Sequence, residues 1–184
     1  MNHNGFIMLR LYIALTTDKV WEWKFGVIIN VIFDVDGVLT DGSFFYSIEG
    51  KILKRFGSHD AQAIKICKTF FNLQLISADK RGFEISKLRA EHLGVPITLV
   101  REEWRSSWLA NNFSREDTAL VVDSFTDIPS LIHVFRSFAP KNAHPELIKR
   151  VSDVLISAGG EGAVAEVLDI LLFERYAKHL WEIT

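Results

Sequence analysis

"VIFDVDGVLTDG", residues 31 to 42, ends an apolar run in two aspartates one residue apart, Asp34 and Asp36, with Gly37 directly after them. With the residues before it, "GVIINVIF" (26 to 33) is continuous and β-branched, the pattern of a central strand covered on both faces. Residues i and i+2 of an extended segment point the same way, so Asp34 and Asp36 are expected to face one small volume. Like charges held together there repel one another, and a divalent cation answers the repulsion. An oxygen-only set of carboxylate and carbonyl ligands with room for water suits Mg²⁺.

The chain alternates short apolar runs with amphipathic stretches downstream of this strand, the rhythm of parallel βαβ units. "SFFYSIEGKILKRF" (43 to 56) holds two extended runs about Glu49-Gly50 and reads as a hairpin projecting from the first strand's end. Asp60 is placed to cap a helix running to about Phe71, with Ala63, Ile64, Cys67 and Phe71 inward. "LQLIS" (73 to 77), "ITLV" (97 to 100) and "TALVVD" (118 to 123) supply further strands, with helices predicted over 83 to 93 and 102 to 112 between them. Asp127-Ile128-Pro129 opens a short helix. In the tail, Val164, Val167, Leu168, Leu171 and Leu172 form the stripe of a long terminal helix.

The chain has 184 residues, 48% of them hydrophobic, and a formal net charge of -2. That suits one domain over 23–184, preceded by an extension over 1–22 of unknown role in which "VWEWKF" favours packing for its last part. The near-neutral charge offers no broad attraction to nucleic acid or anionic lipid. The apolar "FIMLRLYIAL" near the start is interrupted by Arg10 and falls short of the roughly 20 residues a membrane span needs. A single cysteine, Cys67, excludes an internal disulfide and fits a cytoplasmic location, and its helical spacing with Ile64 and Phe71 makes it a core residue. The six histidines form no close ligand pair. His59 stands near the expected crevice, and His144 belongs to a turn before Pro145.

In a parallel sheet the binding crevice lies beyond the carboxyl ends of the strands. Asp34, Asp36 and Asp123 fall there. An exposed carboxylate beside a metal can attack phosphorus to give an aspartyl-phosphate, while its neighbour protonates the leaving alcohol and later takes a proton from water. Gly37 would let backbone N–H groups approach phosphoryl oxygens, and Ser77, at the tip of "LQLIS", would donate another hydrogen bond.

"DVDGVLTDG" resembles the first motif of the haloacid dehalogenase (HAD) superfamily. With "FGSHDAQAIKI", "LISAD", "VVDSFTDIP", "NAHPEL" and "GGEGAVAEVLDILL", the chain is similar over roughly residues 26 to 174 to the small cap-less phosphatases of 3-deoxy-manno-octulosonate 8-phosphate. It is equally similar to the C-terminal module of some acylneuraminate cytidylyltransferases. The resemblance implies an α/β fold, a Rossmann-like parallel sheet with helices on both faces, a projecting hairpin and no large cap. It further implies Asp34 as nucleophile and Asp36 as general acid and base. Mg²⁺ would be held by Asp34, the Asp36 carbonyl and Asp123, with Ser77 at the phosphoryl group and Asp127 as the second acid of the fourth motif. The substrate would be a small phosphorylated sugar or sugar acid, and the assembly a homotetramer in which Phe44, Phe45 and Tyr46 of the hairpin contact a neighbour.

The sequence departs from that pattern in four places. No lysine stands in "TLVREEWRSSW", where the third motif supplies one, leaving Arg101 or Arg105 to replace it. Ser77-Ala78-Asp79 replaces a Ser/Thr-Gly-Arg pattern, with Lys80 and Arg81 near by; Val122-Asp123-Ser124 replaces a glycine and two acids; Glu161 stands where an arginine is usual. Two readings follow: a working phosphatase of altered specificity, or a weak or inactive module serving oligomerisation or partner positioning.

Overall fold

The computed structural model describes residues 28–181, with side chains through residue 175. The expectations for residues 1–22, and the packing of Trp21 and Trp23, lie outside the described residues. Six strands form one parallel sheet: β1 (Asn30–Asp34), β4 (Asn72–Ser77), β5 (Ile97–Leu99), β6 (Thr118–Val121), β7 (Arg136–Ala139) and β8 (Asp153–Val154), in the order β5-β4-β1-β6-β7-β8. β2 (Thr40–Ser47) and β3 (Gly50–Phe56) form a separate antiparallel hairpin. Among the described residues there is no large cap domain, and the α/β architecture is the one the sequence leads to.

β1 is central because both its faces are apolar. Val31 and Phe33 join one core with α1 (Ser58–Cys67), α2 (Phe83–Leu93) and α5 (Ala163–Trp181) through Ile64, Cys67, Ala90, Val164, Val167 and Leu168. Ile32 points the opposite way into a second core with Leu109 of α3 (Glu102–Asn112) and Leu147 of α4 (Pro145–Ile148). The alternation of Val31, Ile32 and Phe33 thus builds the helix–sheet–helix sandwich. After β1 the chain fills one side of the sheet (β4, β5) and then returns to fill the other (β6 to β8). The strand order therefore reverses beside β1, and the crevice opens at the ends of β1, β4 and β6.

Three local expectations are corrected. α1 stops at Cys67 rather than near Phe71, and its N-cap is Gly57. Asp60 is buried and serves a different helix: Oδ2 accepts from the Gly162 N–H at 3.3 Å and Oδ1 from the Ala165 N–H at 3.0 Å, at the start of α5. The short helix after β6 is a 3₁₀ segment, Phe125–His133, that begins before Asp127, with the Ser124 hydroxyl accepting from the Thr126 N–H. β7 and β8 had no counterpart in the sequence reading. β8 is only two residues long, and β7 begins at Arg136, which pairs with Asp153 and Glu174.

Candidate active site

Past Asp34 the chain leaves the sheet in a tight turn, Val35–Leu39, closed by the Thr40 N–H on the Val35 carbonyl. Gly37 sits at φ +85, and a Cβ there would lie 1.9 Å from Oδ2 of Asp123. Only glycine lets the two strand ends approach so closely. The Gly37 N–H is given to Thr40 Oγ1 (3.2 Å), so the glycine's visible role is steric. The late "GG" pair closes on the same turn: the Gly160 N–H donates to the Val38 carbonyl at 2.9 Å, and a Cβ on Gly159 would meet the Gly37 carbonyl at 1.9 Å. Glu161 of the same stretch is exposed and faces Arg55 at 3.6 Å, at the base of the hairpin.

These elements enclose a cleft of about 350 Å³ whose lining includes Asp34, Asp36, Gly37, Asp79, Arg105 and Asp123. It has two halves. In the first, single carboxylate oxygens of the lining Asp34 and Asp123 and of the fully buried Asp127 behind them lie within 4.8 Å of one another. Burial, partly offset by Arg105, raises the Asp34 carboxyl above its ordinary range, and Asp127 and Asp123 push it further up. Burial and the Asp127 charge push Asp123 up to about 7. Asp127 is raised by burial as well, and its Oδ2 is buried without a hydrogen-bond partner. Crowded, desolvated, oxygen-only donors with a lone pair unspent fit a hard divalent cation.

Arg105 closes this half. Its Nη1 donates to Asp34 Oδ2 at 2.7 Å and to Asp127 Oδ1 at 2.5 Å, with the guanidinium almost fully buried. Of the two arginines offered as replacements for the missing lysine, Arg105 is the one at the cleft. Arg101 is 65% exposed, pairs with Glu103, lies over Trp104 and does not line the cleft.

The second half belongs to the hairpin. Asp36 turns away from Asp34's partners: its carboxylate takes Lys54 Nζ at 2.7 Å and the Ser77 hydroxyl at 3.0 Å. Ser77 is fully buried, with its proton donated to Asp36 and its oxygen accepting the Asp79 N–H at 3.1 Å. Asp79, out of place beside a phosphate on sequence grounds, is neutralised by Lys51 at 2.5 Å and Lys54 at 2.9 Å. Burial would raise its carboxyl, but the bonds from Lys51 and Lys54 outweigh that and hold it down to about 2. Lys80 and Arg81 are exposed and take no part in these contacts.

Lys51 and Lys54 escaped the sequence reading because a regular strand would put residues three apart on opposite faces. The register slips between Phe45 and Tyr46, leaving Ile52 without a cross-strand partner, so both lysines reach Asp79. The remaining candidates lie at the margins. Ser124 lines the cleft but caps the 3₁₀ segment, and His59 is exposed outside the lining. His144 caps α4 through Nδ1, its ring lies against Phe125, and its N–H holds the Asp123 carbonyl at 2.8 Å.

No family model matches the chain. The 3-deoxy-D-manno-octulosonate 8-phosphate phosphatase KdsC of Salmonella typhi is 33% identical over 147 residues, spanning 77% of this chain and 78% of the relative. The enzyme of the same description from Escherichia coli is 34% identical over 149 residues, with 77% and 78% covered. The solved structure of the cobalt-bound deoxy-D-mannose-octulosonate 8-phosphate phosphatase YrbI from Haemophilus influenzae superposes with a TM-score of 0.73 at 30% identity, over 81% of this chain and 90% of that one. Within the described residues no helix is long and apolar enough to cross a membrane.

Proposed function

Because the chain belongs to the 3-deoxy-D-manno-octulosonate 8-phosphate phosphatase family of the HAD superfamily, we propose that it hydrolyses the phosphomonoester of a small phosphorylated sugar acid. The reaction runs through an aspartyl-phosphate on Asp34. The observation that carries the reading is the convergence of Asp34 and Asp123 beside Asp36 in the lining of one cleft, with the buried Asp127 behind them offering an oxygen within 4.8 Å of both, three acids raised chiefly by burial. Asp34 and Asp123, with the Asp36 carbonyl, would hold Mg²⁺, and Asp127 lies within reach of the same ion. When bound, Mg²⁺ neutralises the carboxylates and the phosphoryl oxygens near them.

A carboxylate oxygen of Asp34 forms a bond to phosphorus as the bond from phosphorus to the sugar oxygen breaks. Asp36 gives that oxygen its proton. Asp36 then takes a proton from water as the water oxygen attacks phosphorus, and the bond to Asp34 breaks to release inorganic phosphate. Arg105, fixed on Asp34 Oδ2, orients the nucleophile and supplies the charge that a third-motif lysine would carry. Lys54 and Ser77 fix Asp36. Glu161, an acid at the hairpin base, favours a substrate other than one held there by an arginine.

The hairpin leaves Phe45, Tyr46, Ile48 and Leu53 exposed, with Ile48 at 98%. A two-stranded ribbon with such a surface is marginal alone, and we assign it to the contact that builds a homotetramer and closes the cleft. Light scattering of Tyr46→Lys should then show smaller species; an unchanged size would remove this assignment.

The deciding experiment measures phosphate release from a panel of phosphorylated sugars and sugar acids with Mg²⁺, for the native protein and Asp34→Asn. Metal-dependent release lost in Asp34→Asn is expected. No turnover by the native protein across the panel, with no binding of Mg²⁺ or a phosphate-like fluoride complex, would leave the chain an inactive module.

A further inference from the structure

The cleft is short of positive charge. Its lining holds five carboxylates against two cations, Lys51 and Arg105. Arg105 is spent on Asp34 and Asp127 through one nitrogen. Lys54, deeper than the lining, has its ammonium committed to Asp36, Asp79 and Ser86. Arg105 keeps an unpartnered Nε, but that atom is buried, so even with a divalent cation among the acids a phosphomonoester entering from solvent meets one lining cation that is not already held between two carboxylates.

That cation is Lys51. Its Nζ gives one bond to Asp79 at 2.5 Å and stands 3.3 Å from the centre of the Phe44 ring, while an ammonium carries three donors. The side chain is only 5% exposed although it belongs to a projecting hairpin. Withdrawing an ammonium from water is unfavourable, and here Asp79 and the aromatic face offset the loss. The slip in register that leaves Ile52 unpaired is what aims Lys51 into the cleft beside Lys54.

We propose that Lys51 is a substrate-binding residue: its ammonium receives an anionic oxygen of the substrate, with Asp79 as the counterion that keeps it in place between turnovers. The inference rests on the phosphatase reading above and deepens it. The charge that the tip of β4 lacks at Asp79 is supplied across the cleft from β3. A phosphoryl group and a sugar-acid carboxylate share the chemistry an ammonium recognises, and the test separates them.

The full-length protein with Mg²⁺ would be compared with Lys51→Arg, Lys51→Gln and Lys51→Gln/Asp79→Asn, the double variant leaving no unpaired carboxylate. KM and kcat are measured on phosphomonoesters with and without a carboxylate, and Kd for inorganic phosphate by calorimetry. The expected result is a KM raised about tenfold in both glutamine variants with kcat within about threefold, and recovery in Lys51→Arg. A parallel loss of phosphate affinity assigns the phosphoryl group; a loss confined to carboxylated substrates assigns the carboxylate. A native protein that turns over, with KM and phosphate Kd unchanged in the double variant, overturns the role of Lys51 and leaves the phosphatase reading standing. A native protein that binds phosphate through Lys51 without turnover overturns the phosphatase reading and keeps the site. Neither binding nor turnover overturns both.

Discussion

Nη1 of Arg105 stands 2.7 Å from Oδ2 of Asp34, across 71 residues of chain, and the same nitrogen reaches Asp127 at 2.5 Å. One buried guanidinium nitrogen thus ties the proposed nucleophile to the acid that follows β6.

Removing that cation should do two things at once. Arg105→Met leaves two buried carboxylates facing each other, which costs on the order of 3–5 kcal/mol and lowers the melting temperature by roughly 10 °C in metal-free protein. Phosphate release should be lost with it. Because a single nitrogen makes both contacts, Arg105→Lys should keep the fold and at least about a tenth of the turnover. Equal losses in the two variants, read from kcat and calorimetry, would refute this role for the charge.

Gly37→Ala forces a side chain into φ +85 and into the Asp123 carboxylate. The strained backbone costs about 1–3 kcal/mol, and the displaced Asp123 should weaken Mg²⁺ binding about tenfold or more. Titration calorimetry with Mg²⁺ measures it; native-like affinity would mean that Asp123 is not a ligand.

Stability should depend on pH in a direction that the crowded acids set. The folded Asp123 carboxyl is raised to about 7 from an ordinary value of 3.8, and Asp34 and Asp127 are raised too. Their contribution is fully present below the ordinary value and is lost as pH rises toward about 7. Asp79 works the other way, since its carboxyl is held to about 2, and its contribution is lost only as pH falls from 3.8 toward that value. In EDTA the melting temperature should therefore fall between about pH 5 and about pH 8, and Mg²⁺ should restore more of it at the higher pH. A flat profile by scanning calorimetry would contradict the crowding.

Asp60 predicts a stability effect separate from chemistry. Asp60→Ala frees the Gly162 and Ala165 N–H groups at the start of α5 and should cost about 1–2 kcal/mol, a few degrees in melting temperature, with kcat close to native. A collapse of kcat with an unchanged melting temperature would place Asp60 in the cleft instead.

The parallel sheet was legible from the sequence because its signals are local. A β-branched run ending in Asp34, amphipathic stretches between short apolar runs, and Gly94 after α2 each declare themselves within a few residues. The same locality brought Asp34, Asp36 and Asp123 to one end of the sheet. Ambiguity remained wherever a role depends on what folds opposite. Asp60 looks like the cap of its own helix until α5 arrives beside it, and Arg101 and Arg105 are equivalent by composition until α3 buries one and exposes the other. Asp79 reads as a misplaced charge until a slip of one residue in the hairpin brings Lys51 and Lys54 against it. Sequence alone determined the strand, its acids and the crevice, since hydrophobic periodicity and strand-end position are properties of neighbouring residues. Only the tertiary structure decided which cations answer those acids, because pairing of buried charges is fixed by three-dimensional proximity and desolvation, which sequence spacing does not encode.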